Sequence, residues 1–154
     1  MRGVGVAVNG YERAIRWLAR RAYGERELAW RLQREGVDEA EVTGILDRCR
    51  ELGYLNDRAF AVSRVRVRLE RGWGWMRIRA ELRSLGIDEE ILAEAVAESG
   101  AAIVDPVARA VGILEKRFGA SEGWNRADYR ERRRRYAFLA QRGFESEVID
   151  AALS

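Results

Sequence analysis

Apolar residues recur at three- and four-residue spacing along nearly the whole chain, and short glycine-marked turns interrupt the stripes. That period belongs to amphipathic helices. Ala14, Trp17, Leu18 and Arg21 share one face of a first helix predicted over residues 11–23, and Leu28 and Leu32 give a second, over 25–35, its inner side. Val42, Ile45, Leu46, Cys49 and Leu52 mark a third over 38–51. After Gly53-Tyr54-Leu55, with Asn56 as a cap, the pattern restarts. Ala61, Val65 and Leu69 place a helix over 57–71, Ile78, Leu82 and Leu85 another over 75–85, and a third covers 89–98. Val107, Ala110, Val111, Leu114 and Phe118 line a seventh helix that starts behind Asp105 with Pro106 in its first turn, where proline's missing donor costs nothing. A turn over 119–123 and helices over 126–142 and 146–153 complete the chain. Alternating β-branched runs are nearly absent, so the fold class is all-α.

One phrase occurs three times between such helices. Leucine stands four residues before a glycine, and an apolar residue and an acid follow: Leu32, Gly36-Val37-Asp38; Leu82, Gly86-Ile87-Asp88; Leu139, Gly143-Phe144-Glu145. The glycines suit positive φ, through which a helix end recovers its orphan carbonyls. Asp38, Asp88 and Glu145 are then N-caps, with Glu41 completing a capping box in the first copy. Val37 with Val42, Ile87 with Leu92 and Phe144 with Ile149 are staple pairs that set the angle of the next helix. The copies lie 50 and 57 residues apart. They divide the chain into a glycine-rich mobile tail (1–10) and tandem three-helix repeats over 11–53, 54–100 and 101–154, with a looser stretch at 99–102. Each repeat buries too little to stand well alone, so an elongated, curved array is expected.

Charge follows the same rhythm. The net charge is only +3, but the local excess is plus four over 1–36, minus three over 37–56, plus five over 57–86, minus six over 87–105, plus five over 106–136 and minus two from 137 onward. Basic helix pairs alternate with acidic third helices. No run is long enough to cross a bilayer, residues 1–10 lack a secretory apolar core, and the single cysteine, Cys49, lies on an apolar stripe. A cytoplasmic protein without membrane contact is expected.

The absence of histidine removes the usual triads, imidazole zinc ligation and the commonest neutral-pH base. Cys49 alone cannot build a thiolate metal site, and no glycine-rich loop leads into Gly-Lys. Asp88, Glu89 and Glu90 stand in a helix's first turn, where the positive helix end holds acids. No enzyme activity, metal or cofactor is expected. The positive evidence is arginine, which supplies all but one of the 28 basic residues. Arg64, Arg68 and Arg71 share a helix face, Arg79 and Arg83 share another with Arg77 nearby, and Arg132, Arg133, Arg134 and Arg135 form the densest run. Guanidinium forks grip phosphates or carboxylates and stack on flat rings. Trp73 is the candidate contact residue in the turn between basic helices, Trp75 is assigned to the core, and Trp17 and Trp30 are read as wedges between helices.

The stretch Tyr54-Leu55-Asn56-Asp57-Arg58-Ala59-Phe60-Ala61, then Arg71-Gly72-Trp73-Gly74, then Arg77-Ile78, Glu81-Leu82 and Gly86-Ile87, resembles the RecX family of bacterial recombination regulators. Arg20-Arg21 with Glu27-Leu28, Leu32 and Gly36 is similar to that family's opening unit, and Arg142-Gly143-Phe144 with Val148 and Ile149 to its closing one. The likeness runs from about 11 to 153. It departs at Gly24, where the family commonly has a serine cap, and at Trp75, where proline often begins the helix. A monomer is expected, and the resemblance implies a cytoplasmic protein that modulates, usually inhibits, the RecA recombinase. Such proteins lie in the groove of the RecA–single-stranded DNA filament, bridge its subunits and block its extension; some bind DNA themselves. The arginines and Trp73 named above would be the contacts. Two other readings stand beside it: an autonomous nucleic-acid-binding protein of helix-turn-helix-like units, and a helical scaffold for an acidic protein.

Overall fold

The computed structural model describes residues 9–100, 104–121, 124 and 128–154. Among these the chain forms nine helices: α1 (Gly10–Arg20), α2 (Glu25–Arg34), α3 (Glu39–Glu51), α4 (Asp57–Glu70), α5 (Trp75–Ser84), α6 (Glu89–Ser99), α7 (Pro106–Phe118), α8 (Tyr129–Gln141) and α9 (Ser146–Leu153). The architecture is all-α, in tandem three-helix repeats. Short polar side chains start most of the helices. The carboxylate of Asp38 accepts from the Glu41 N–H at 2.8 Å, Asp88 from Ile91 at 2.9 Å, and Asn56 from Ala59 at 3.1 Å. Asp105 caps α7 through the Val107 N–H at 3.0 Å with Pro106 inside the first turn. Glu145 holds the cap position of α9, but its side chain makes no cap bond.

Two boundaries move for the same reason. Asn9 caps α1 by accepting from Glu12 at 3.1 Å, so the expected mobile tail yields at its end to a helix that begins at Gly10. Asp128 caps α8 by accepting from Glu131 at 2.9 Å, so that helix starts at Tyr129 rather than at 126. The remaining tail, 1–8, most of the looser stretch after Gly100, and part of the 119–123 turn lie outside the described residues.

The repeated leucine–glycine phrase is a helix-ending hydrogen-bond motif. Gly36, Gly86 and Gly143 have φ of 88°, 85° and 89°. The residue after each glycine donates back to the leucine: Val37 to Leu32 at 3.1 Å, Ile87 to Leu82 at 3.0 Å, Phe144 to Leu139 at 3.2 Å. That bond is the 6→1 closure of a Schellman turn, and it accounts for the leucine at fixed spacing. All six staple residues are buried.

Each repeat has its own core. Leu28, Leu32, Val42, Ile45, Cys49 and Leu55 belong to the first, Phe60, Val65, Ile78, Leu82 and Leu92 to the second, and Leu114, Trp124, Leu139, Phe144 and Ile149 to the third. Leu55, at the expected start of the second repeat, closes the first core instead. Three apolar-face assignments fail. Leu52 is 50% exposed and Trp30 57% exposed, because each lies at the edge of its stripe where no neighbouring helix arrives. Arg21 leaves α1 altogether, in extended backbone with φ of −160°, and is exposed.

The joints between repeats explain the two helices whose cap position is a glycine, α2 and α5. At the start of α2, Gly24 offers no cap bond, and Asp57 of the next repeat accepts from the Glu25 N–H at 2.9 Å. The Phe60 ring stands 3.3 Å from where a Gly24 Cβ would be, and Arg26 lies across Gly86. At the start of α5 the same arrangement recurs in backbone atoms. Gly74 donates to the Arg142 carbonyl at 2.5 Å and Met76 to that of Gly143 at 3.0 Å, and a Cβ on Gly74 would overlap the Gly143 carbonyl. Thus Gly86 and Gly143 both end a helix and receive the middle helix of the preceding repeat. Gly36, in the first of the three repeats, has no atom of the described residues within 4 Å of a would-be Cβ. Among the described residues, polar contacts join the first repeat to the second and the second to the third, and none joins the first to the third. The array is open and serial.

Candidate partner-binding surface

The outer surface carries three neighbouring grooves. The first, on α2 and the α1–α2 connection, is lined by Arg21, Tyr23, Trp30, Arg31 and Arg34 with Glu27 and Glu35. The second, between that connection and α4, is lined by Arg21, Phe60, Arg64, Val67, Arg68 and Arg71. The third, between α4, α7 and α8, takes in Arg71, Gly72, Ile113, Lys116, Arg117 and Arg142. Arg21 borders the first two and Arg71 the last two, so the grooves form one basic path over all three repeats. Arg21, Lys116, Arg117 and Arg142 carry no weight in a search for dense arginine runs, because they stand singly or in pairs at helix ends and are gathered only by folding.

The expected arginine set separates. Arg64 and Arg68 both turn to Glu81 of α5, with Arg64 Nη1 at 2.7 Å from Oε1 and Arg68 holding both oxygens at 2.8 and 2.9 Å. Burial pushes the Glu81 carboxyl up, but the hydrogen bond from Arg68 and the charges of Arg64 and Arg68 outweigh it and hold it below the usual range. The hydrogen bond to Glu81 likewise raises the Arg68 pKa. This cluster keeps one net positive charge and forms the groove wall. Trp73 lies between two guanidiniums, Arg68 at 4.2 Å and Arg77 at 3.8 Å from the ring centre, so its stacking partners are intramolecular. Trp75 is half-buried against the second core, as assigned. Arg77 also donates to the Gln141 carbonyl at 3.3 Å, across the joint to the third repeat.

Arg79 and Arg83 face elsewhere. Both pair with Glu89 at the start of α6, at 2.8 and 3.2 Å. On a helix they stand about 200° from Glu81, the face turned to α4. They do not join Arg64, Arg68 and Arg71 in one patch. On α8, Arg132, Arg133 and Arg134 are exposed, whereas Arg135 packs inward 5.5 Å from the Trp124 ring and 5.7 Å from that of Phe118. Among the described residues its Nε and Nη1, both buried, find no hydrogen-bond partner, and neither does the Trp124 Nε1.

The path is held from beneath by cations at the end of α4. Arg109 Nη2 donates to the carbonyls of Leu69 at 2.8 Å and Trp73 at 2.5 Å, and Arg142 Nη1 to that of Arg71 at 3.1 Å. Burial lowers the Arg109 pKa. Both add donors to carbonyls at and just beyond the negative end of the helix dipole, where Leu69 also accepts from the Gly72 N–H at 3.0 Å. Arg71 is therefore presented by a fixed backbone with its side chain exposed.

Among the described residues no group of three or more His, Cys, Asp or Glu could hold a metal ion, and no helix is long and apolar enough to cross a membrane. Burial raises the Cys49 thiol's pKa, which makes it less reactive.

Comparison with known proteins accounts for nearly the whole chain. Three family models match in series: "RecX, first three-helix domain" over residues 11–49, "RecX, second three-helix domain" over 56–96, and "RecX, third three-helix domain" over 104–153. The regulatory protein RecX of Halorhodospira halophila is 41% identical over 139 residues, covering 90% of this chain and 83% of that protein. The RecX of Chromohalobacter salexigens is 40% identical over 141 residues, covering 92% and 88%. In fold, the chain is similar to the crystal structure of RecX from Lactobacillus salivarius, with a TM-score of 0.73, 23% identity, and 94% and 92% of the two chains covered.

Proposed function

Because this chain belongs to the RecX family of regulatory proteins, we propose that it binds the RecA recombinase filament on single-stranded DNA and inhibits it. The observation that carries this reading is the unbroken basic path through Arg21 and Arg71 across all three repeats. A serial array with a basic path is suited to lie along a polyanionic filament and to span more than one of its subunits. Several modest contacts made by one rigid body add up to tight binding without a catalytic step. Neutralising phosphates or acidic side chains with arginines also makes the binding salt-sensitive.

In this mechanism Arg71, Arg132, Arg133 and Arg134 reach outward to the partner. Arg64 and Arg68, tied to Glu81, shape the groove and supply its field, and Arg77 and Trp73 hold the turn that carries Arg71. Arg79 and Arg83 contribute from a separate face. The acidic third helices turn away from the filament or meet basic patches on the recombinase. A chain lodged across neighbouring subunits blocks their addition, and ATP hydrolysis falls as a consequence.

The test is the ATPase turnover of the recombinase on single-stranded DNA as this protein is titrated in, with anisotropy on bare DNA as a control. Inhibition well below the concentration that coats the DNA is expected. Unchanged turnover at saturation overturns the proposal, and the control then shows whether the chain is an autonomous nucleic-acid binder.

A further inference from the structure

The two joints between repeats are built on one plan but closed very differently. At the second, backbone meets backbone. Gly74 and Met76 at the start of α5 donate to the carbonyls of Arg142 and Gly143, at 2.5 and 3.0 Å, and Arg77 reaches the Gln141 carbonyl at 3.3 Å. Guanidiniums of the third repeat return across the joint. Arg109 donates to the carbonyls of Leu69 and Trp73, at 2.8 and 2.5 Å, and Arg142 to that of Arg71 at 3.1 Å. A Cβ on Gly74 would lie 2.3 Å from the Gly143 carbonyl carbon, so the two backbones interlock as well as bond. These contacts leave from α5, α7 and the end of α8. No single axis turns the third repeat on the second without breaking several of them.

The first joint has no such lock. Among the described residues, the only hydrogen bond across it runs from the Glu25 N–H to the Asp57 carboxylate, at 2.9 Å. Beside it the contacts are made through side chains: the Phe60 ring stands 3.3 Å from where a Gly24 Cβ would be, and the exposed Arg26 lies over Gly86. The charges lining the groove between these repeats are engaged on their own sides, Arg21 with Glu27, and Arg64 and Arg68 with Glu81. The connection is tied down as far as Leu55, which is buried in the first core, and Asn56 then caps α4. Chain link and lone hydrogen bond thus meet at Asp57, the first residue of α4. Element ends of this kind are where hinges form.

We propose that the first joint is a hinge and the second a rigid coupling, so that the first repeat swings about Asn56 and Asp57. The rigid body that meets a partner is then the second and third repeats together, with the first as an arm attached to it. The groove that opens and closes is the one with Arg21 and Ala22 on one side and Arg64 and Arg71 on the other. The basic path bends there and nowhere else. This goes beyond the proposed function and does not rest on it, since it concerns the free chain.

The experiment is double electron–electron resonance on the full chain in a Cys49→Ala background, with spin labels on cysteines placed at exposed sites. Glu41→Cys with Ala93→Cys spans the first joint, and Ala93→Cys with Glu147→Cys the second. The distance distribution across the first joint should be about twice as wide as that across the second. Asp57→Ala should widen the first further and leave the second unchanged. Equal widths, or a wider second distribution, overturn the proposal. So does an Asp57→Ala variant that widens both alike. The comparison of the two widths alters neither joint, so it decides the matter even where Asp57→Ala fails to fold. Recombinase inhibition is a separate readout, and its persistence alongside equal widths leaves the regulatory reading standing.

Discussion

Two glycines in equivalent places, Gly24 and Gly74, should respond very differently to alanine. Gly74 has φ of −79° and ψ of 159°, which any residue can adopt, so space decides and not backbone strain. A Cβ there would overlap the carbonyl carbon and oxygen of Gly143 and the Phe144 nitrogen, all backbone atoms of a closed turn. The joint must open, and the bonds from Gly74 to Arg142 at 2.5 Å and from Met76 to Gly143 at 3.0 Å go with it. Two hydrogen bonds at about 1 kcal/mol each, with overpacking of about 1–3 kcal/mol, put the loss at about 3–5 kcal/mol. At Gly24 the nearest atom to a new Cβ is Cε1 of the buried Phe60 ring at 3.3 Å, the edge of a side chain that need give by only about a few tenths of an ångström and not a backbone atom. The bond from Glu25 to Asp57 survives, and the cost should be about 1 kcal/mol or less, the difference between glycine and alanine as caps. Urea unfolding followed by circular dichroism measures both. A Gly74→Ala variant as stable as wild type, or a Gly24→Ala variant equally damaged, refutes the account of the joints.

Asp57→Ala should lose the cap on α2 and about 1 kcal/mol in the same assay, whereas Asp57→Asn keeps an acceptor oxygen. Burial raises the Asp57 pKa, so its contribution is full at low pH and is lost as pH rises through that raised value. The stability difference between Asp57→Asn and wild type should therefore move in favour of asparagine from pH 4 to 7. Glu81 has the opposite sign: its lowered pKa gives stability that is present above the usual carboxylate value and is lost as pH falls through the lowered one. Glu81→Gln should cost about 1–3 kcal/mol at neutral pH, a gap that closes on acidification. Reversing Arg71 to glutamate, where two grooves meet, should weaken recombinase inhibition more than reversing Arg79, which is paired with Glu89 on another face; equal losses would reject the path. Gly44 lies inside α3 with no atom of the described residues within 4 Å of a would-be Cβ, so Gly44→Ala should stabilise by up to about 1 kcal/mol.

The helices and their turns were legible in the sequence because the interactions that make them are local. Asp38 reaches three residues to Glu41, and Val37 reaches back five to Leu32. A pattern of leucine, glycine, apolar residue and acid contains both contacts, and it located all three junctions. The same locality offers no partner for Gly24 or Gly74, which have no side-chain cap of their own. Their partners are Asp57, 32 residues on, and a carbonyl of the third repeat. The arginines show the same divide. Spacing placed Arg64, Arg68 and Arg71 on one helix face, which periodicity alone determines, but could not say that two of them would close on Glu81 while Arg71 stayed open. Nor could it separate Arg79 and Arg83 from that patch or bring Arg21, Lys116 and Arg142 to it. A helix face follows from 3.6 residues per turn. Which charge meets it depends on how separate helices pack, and that packing is set by the glycine contacts and buried apolar surface of the whole array.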